Sequence, residues 1–89
     1  MKAVITVVGK DRVGILAEVS ARCAEFNVNI NEVTQSVLGE LFCMIMLCDI
    51  TGLNADFGAF ADAMEKTGSD MNMKIHTMHE DIFNSMHSI

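Results

Sequence analysis

The sequence predicts an α+β domain, a ferredoxin-like βαββαβ sandwich: a four-stranded antiparallel sheet with two helices on one face, followed by a short helical tail. Three observations predict it. Apolar residues recur at every second position in some stretches and at steps of three and four in others, in the order strand, helix, strand, strand, helix, strand. Glycine and asparagine mark most of the places where the period changes. The 89 residues, 51% hydrophobic and 20% charged, are enough for one thin core and too few for a second.

The elements follow in order. Lys2–Val8 is β-branched and apolar, a strand that Gly9 interrupts. Asp11 is the expected N-cap of the first helix, its carboxylate accepting the N–H of Gly14. Leu16, Val19, Cys23 and Phe26 then share one helical face, and the helix is expected to end near Asn27. Val28–Val37 and Leu41–Ile50 are strands joined through Leu38-Gly39-Glu40, a hairpin. Asn54 is the expected cap of a second helix with Phe57, Phe60, Ala61 and Met64 on one face and Gly68 as its stop. Met71–His79 alternates apolar with polar residues, a strand with one buried face.

With right-handed crossovers, the first and third strands become the central pair. Leu41–Cys48 is apolar at every position, and Lys2–Val8 nearly so, whereas helices can cover only one face of the sheet. Something is therefore expected to cover the other face. After the fourth strand, Ile82, Phe83, Met86 and Ile89 line one side of a helical tail with acids at its start. So short a helix has no stability of its own and must dock, on its own sheet or on a neighbour. A homodimer or higher homo-oligomer is expected, built from sheet edges, sheet faces or exchanged tails.

Charge and cysteine narrow the partners. Twelve acids against six scattered bases give a net charge of −6, which repels nucleic acid and anionic membranes. The longest apolar run is far too short for a membrane span, and Gly9-Lys10-Asp11-Arg12 interrupts the start before the apolar region of a secretion signal can form. A cytoplasmic location is expected. Cys23, Cys43 and Cys48 sit in apolar stretches and fit reduced, buried thiols; Cys43 and Cys48 point to opposite strand faces. His76, His79 and His87 are taken as solvated histidines rather than metal ligands, and the methionines as core filler. No cofactor is expected. Neither Ser20 nor Cys23 has an activating His and acid arranged beside it, so no enzymatic activity is expected.

Gly9-Lys10-Asp11-Arg12-Val13-Gly14-Ile15-Leu16 carries the sharpest chemistry. Glycines bracket a charged loop that enters the first helix. First-turn N–H groups near Gly14 favour a carboxylate, and Asp11 can hold an ammonium, so a zwitterionic amino acid satisfies both. A packing role, with Asp11 as cap and Gly14 allowing helix–strand approach, accounts for the same residues and is favoured on spacing alone. A nucleotide-binding P-loop is excluded, because Ile15 follows Gly14 where Lys and a hydroxyl residue are required.

Followed by Asn27-Val28-Asn29-Ile30 and Gln35, this loop resembles that of the ACT domain, the small-molecule-sensing module attached to many enzymes of amino-acid metabolism. The resemblance covers residues 1–79. The ending His79-Glu80-Asp81-Ile82-Phe83, with Met86-His87 and Ile89, is similar to that of free-standing bacterial ACT-domain proteins without an assigned function, and makes residues 80–89 a tail of the same unit. The resemblance implies a ligand at an interface between two copies. Asp11, beside Arg12 and Val13, takes a polar contact position; Gly14 lets the ligand approach; Asn29 reaches it from the partner subunit. Val13 stands where many ACT loops have Pro, and Gly9 where some serine-binding members have a histidine, which leaves the ligand open. The expected function is a regulatory homo-oligomer that binds an amino acid or similar small molecule. The alternative is a ligand-free module that binds another protein.

Overall fold

The structure, a computed structural model, describes residues 1–87, the side chain of His87 excepted. The elements are β1 (Lys2–Lys10), α1 (Ile15–Glu25), β2 (Asn29–Leu38), β3 (Leu41–Asp49), α2 (Phe57–Asp70), β4 (Met73–His79) and α3 (Glu80–His87). The strands form one antiparallel sheet in the order β2-β3-β1-β4, the ferredoxin-like arrangement with β1 and β3 central. Alternation puts Ala3, Ile5 and Val7 of β1, with Phe42, Met44, Met46 and Cys48 of β3, against the helices. Val19 and Cys23 of α1 and Phe60 and Met64 of α2 close that core. The two helices are further joined where Arg22 Nε donates to Thr67 Oγ1 at 3.2 Å.

The helix boundaries differ from the expectations, for local reasons. Asp11 does not cap α1; Gly14 precedes the helix in the left-handed conformation, φ 89°, with no side-chain cap. The buried face is Ile15, Val19 and Cys23, a strict step of four, which turns Leu16 to the surface. The helix ends at Glu25, and Asn27, at φ 58°, reverses the chain while its side-chain amide donates to the Gly52 carbonyl at 2.8 Å. The cap of α2 is Asp56, which accepts the Ala59 N–H at 3.2 Å. Asn54 instead donates to the Glu25 carbonyl, tying this loop to the end of α1. Both residues are cap formers, and Asp56 prevails because it directly precedes the first helical residue.

Gly68 does not stop α2, which continues to Asp70; Asn72, at φ 59°, makes the turn, so β4 starts at Met73 rather than Met71. Gly68 is glycine because β4 lies against it: a Cβ there would stand 2.7 Å from the Met73 carbonyl oxygen and 2.8 Å from Ile75 Cγ1. Gly58, in the same helix, would meet nothing within 4 Å. Gly68→Ala is therefore expected to destabilise by about 1–3 kcal/mol despite its better helix propensity. Gly58→Ala is expected to stabilise by up to about 1 kcal/mol. Urea unfolding of both variants checks the pair, and equal effects would refute the close approach of α2 to β4.

The tail docks on its own sheet. α3 folds back against β1 and β4 on the face that the helices leave open. Val4 points to that face yet is only 4% exposed. The cover is partial, since Val8 and Ile45 on the same face stay 40% and 46% exposed. Ile82 and Met86 of α3 are exposed and Phe83 is half-buried; Ile89 and Ser88 lie outside the described residues. No helix among the described residues is long and apolar enough to cross a membrane.

Candidate functional site

The β1–α1 loop is held from both sides. β1 ends with Lys10 paired to Leu41, and the Asp11 N–H donates to the Glu40 carbonyl at 2.8 Å, which pins the loop to the β2–β3 turn. That turn has Gly39 at φ 63°, a first central position that favours glycine in two-residue hairpins. At the other end of the loop, Gly14 is required by its backbone and not by packing, because a Cβ there would meet nothing within 4 Å. The packing role favoured on spacing is thus absent at both residues: Asp11 caps nothing, and Gly14 permits no close approach.

An uncapped first turn follows from this. The Glu18 N–H closes the first helical bond, to the Gly14 carbonyl at 3.0 Å, and among the described residues no side chain caps the N–H groups before it. Arg12 reaches across the turn to Glu18, 3.7 Å away; both side chains are about half exposed, so the pair constrains the loop only weakly. Val13 is an apolar side chain 93% exposed at the loop's apex. Asp11, Arg12, Val13 and Gly14 are therefore together, exposed, around a free helix N-terminus.

Asn29 is not with them. It pairs with Asp49, which pairs with Lys2, at the end of the sheet away from the loop. The length of β1 separates the two places, roughly 27 Å at ~3.3 Å per residue. Near Asn29, the strand bulges between Ile30 and Glu32, and the intervening Asn31 accepts from Lys2 Nζ at 2.7 Å. The Asp49 carboxyl is held below its ordinary range by the Thr51 hydroxyl and backbone N–H, with Lys2 adding to the effect.

The remaining chemistry-bearing residues are dispersed. His76 lies on the open face and His79 on the helix face, where its ring stacks on Phe57 at 4.1 Å. No group of three or more His, Cys, Asp or Glu among the described residues could hold a metal ion. Cys23 and Cys48 are buried together, and their hydrogen bond, then burial, pushes the Cys23 thiol well above its ordinary range, unsuited to a nucleophile. Sequence reasoning missed one concavity. It lies under α3 on the open face, formed by residues that the period-two alternation had placed there without saying what they enclose.

Residues 2–78 match the family model of the ACT domain. Over 89 residues, the whole of both chains, this protein is 44% identical to a UPF0237 protein of Listeria monocytogenes. The solved structure of an ACT domain protein from Streptococcus pneumoniae superposes with a TM-score of 0.81 at 41% identity, covering 93% of each chain. The ligand-free regulatory subunit of aspartate kinase from Thermus thermophilus shares the fold, with a TM-score of 0.65 at 21% identity over 85% of this chain and 49% of that one. Since these matches run through the loop and both halves of the sheet, the chain belongs to the ACT-domain family and, within it, to the UPF0237 proteins.

Proposed function

We propose that this protein is a regulatory homodimer that binds an amino acid where the loop Asp11–Gly14 of one subunit meets β2 of the other. The observation that carries the reading is the uncapped first turn of α1 beside an Asp11 that does not cap it. Backbone N–H groups and the helix dipole attract the ligand's carboxylate, and Asp11 attracts its ammonium. Arg12 and Val13 flank the ligand, and Asn29 of the partner subunit supplies a further polar contact.

The edge strand β2 supports the dimer. It is ten residues long, and residues 31–40 are exposed throughout, including Val33, Val37 and Leu38. A long exposed edge with apolar side chains is a template for pairing. Two copies pairing antiparallel about the middle of β2 would extend the sheet to eight strands. That pairing sets Asn29 of the partner subunit beside the Val37–Gly39 end, where the Asp11 N–H is bonded to Glu40. The separation within one chain is thereby removed between two. A ligand held at this junction favours one relative packing of the subunits, and so passes its presence to whatever the dimer binds.

Thermal unfolding against the proteinogenic amino acids at millimolar concentration tests the reading. A ligand at about a hundred times its Kd adds about 2.7 kcal/mol, a midpoint rise of about 10 °C or more for a domain of this size. Asp11→Ala should abolish the rise and Asn29→Ala reduce it, with the unliganded midpoint unchanged. No response to any amino acid would sink it. The exposed apolar residues Val13, Val37 and Leu38 favour a second reading, a ligand-free module for another protein. In that case the Asp11→Ala, Asn29→Ala double variant keeps its full affinity for the protein partner.

A further inference from the structure

We propose that the cleft between α3 and the open face of the sheet is a second ligand site, one for a small amphipathic monocarboxylate. The alternation of β1 turns Val4, Thr6 and Val8 to this face, and the register sets Ile45 and His76 on either side of Thr6, with Met78 beside Val4. α3 lies over these strands and leaves a cleft of about 660 Å³. Val8, Ile45 and Met78 make its floor, and Ile82, Phe83 and Met86 its roof. The volume is that of a small-molecule pocket rather than of a packing defect. Flexible methionines on floor and roof let the walls close on apolar bodies of different outline.

Charge selects the head group. The molecule carries a net charge of −6, yet among the described residues no carboxylate lines the cleft. The acids nearest in sequence, Glu80 and Asp81, begin α3 and are not among the lining residues. The polar lining comes from Thr6, His76 and Thr77; Lys74 is not part of the lining but pairs directly across from Val8, which is. Lys2 and Lys10 project from the same face of β1. Hydroxyls and an imidazole in an apolar cleft, with a lysine at the strand position paired to its floor, suit a single carboxylate, through charge-assisted hydrogen bonds. The occupant also acts on the fold: an eight-residue helix is marginal alone, so a ligand that fills the space beneath α3 fastens it to the sheet.

Octanoate, with 1-octanol as its uncharged match, is the probe, and the methionine methyl resonances of the full chain are the readout. Octanoate is expected to shift the Met78 and Met86 methyls saturably, leaving Met64 in the core unmoved. Octanol should bind about tenfold more weakly for want of the charge-assisted contacts. Lys74→Met should weaken octanoate to the level of octanol and leave octanol unchanged. Ile45→Trp, at a half-exposed position that keeps the fold, should fill the cleft and abolish both. Asp11→Ala should bind octanoate normally, which separates this site from the amino-acid site. The inference is overturned if millimolar octanoate gives no saturable shift, including because a second copy occludes the face. It is also overturned if the shifts survive Ile45→Trp, or if octanol binds as well as octanoate.

Discussion

Phe60→Ala is expected to cost about 3–5 kcal/mol, the largest loss from any single truncation in this chain. A domain of this size has about 5–10 kcal/mol in total, so the variant should lose about half of its stability. Phe60 is 0% exposed and stands where both helices meet the sheet. Its ring lies 5.2 Å from that of Phe26 at the end of α1, and 6.5 Å from that of Phe57 at the start of α2. Phe57 in turn stacks on His79, the last residue before α3. Removing the central ring opens a cavity that these neighbours cannot close without moving elements that are each held elsewhere. The Phe60 N–H keeps its bond to the Asp56 carbonyl, so the loss reports packing alone. Urea unfolding measures it, and a loss below about 1 kcal/mol would show that the aromatic cluster is not the centre of the core.

What the sequence disclosed about the fold follows from which interactions are periodic. Ile5, Val7, Met44 and Met46 are buried because a pleated strand repeats every two residues, and this repeat is visible without coordinates. The same repeat exposed the excess of apolar residues on the open face. Where the helices begin and end was less legible, because there single side chains compete for one function. Asn54 and Asp56 are both cap formers, and only the geometry of the loop decides that one caps α2 while the other ties it to α1. Gly68 has the composition of a helix stop but answers to a neighbour in β4, a constraint from residues absent from its own segment.

The candidate site divides along the same line. Asp11 to Gly14 are contiguous, so the loop was recognisable from its residues and from the family resemblance. The conformation of Gly14 was not, and it changes the meaning of Asp11 from a cap to a residue available to a ligand. Asn29 belongs with the loop only if a second subunit is present, a relation that no single chain contains. The tail was recognisable as a helix that must dock. Its seat on its own sheet, and the cleft beneath it, depend on how the chain turns after His79, which leaves no periodic signal.

The double substitution Val33→Lys, Val37→Lys is expected to convert the proposed dimer to a monomer, raising its dissociation constant about 100-fold or more. In the isolated subunit these side chains are 39% and 49% exposed, so neither is needed by its own core and the monomer should keep its stability within about 0.5 kcal/mol. They lie on the helix side of β2, opposite Met46 and Phe42 in β3, on the strand whose other edge is free. Antiparallel pairing of two β2 strands about a two-fold axis brings the valines of both copies together on that side. Covering the exposed half of each of four valines stabilises the dimer by about 1 kcal/mol apiece, or about 3–4 kcal/mol together. Every 1.4 kcal/mol is a factor of about ten, so this loss alone amounts to about a hundredfold to a thousandfold. Lysines in their place add like-charge repulsion across the axis, as natural edge strands use to prevent pairing. Sedimentation of the wild-type and doubly substituted chains at micromolar concentration makes the comparison, and it bears on the ligand as well. If the amino-acid site is completed by Asn29 of the partner subunit, the same variant should lose its thermal response to the amino acid although Asp11 and Gly14 are untouched. A substituted chain that still sediments as a dimer would place the interface elsewhere than the β2 edge. One that is monomeric yet binds the amino acid with full affinity would show that the site is complete in a single subunit.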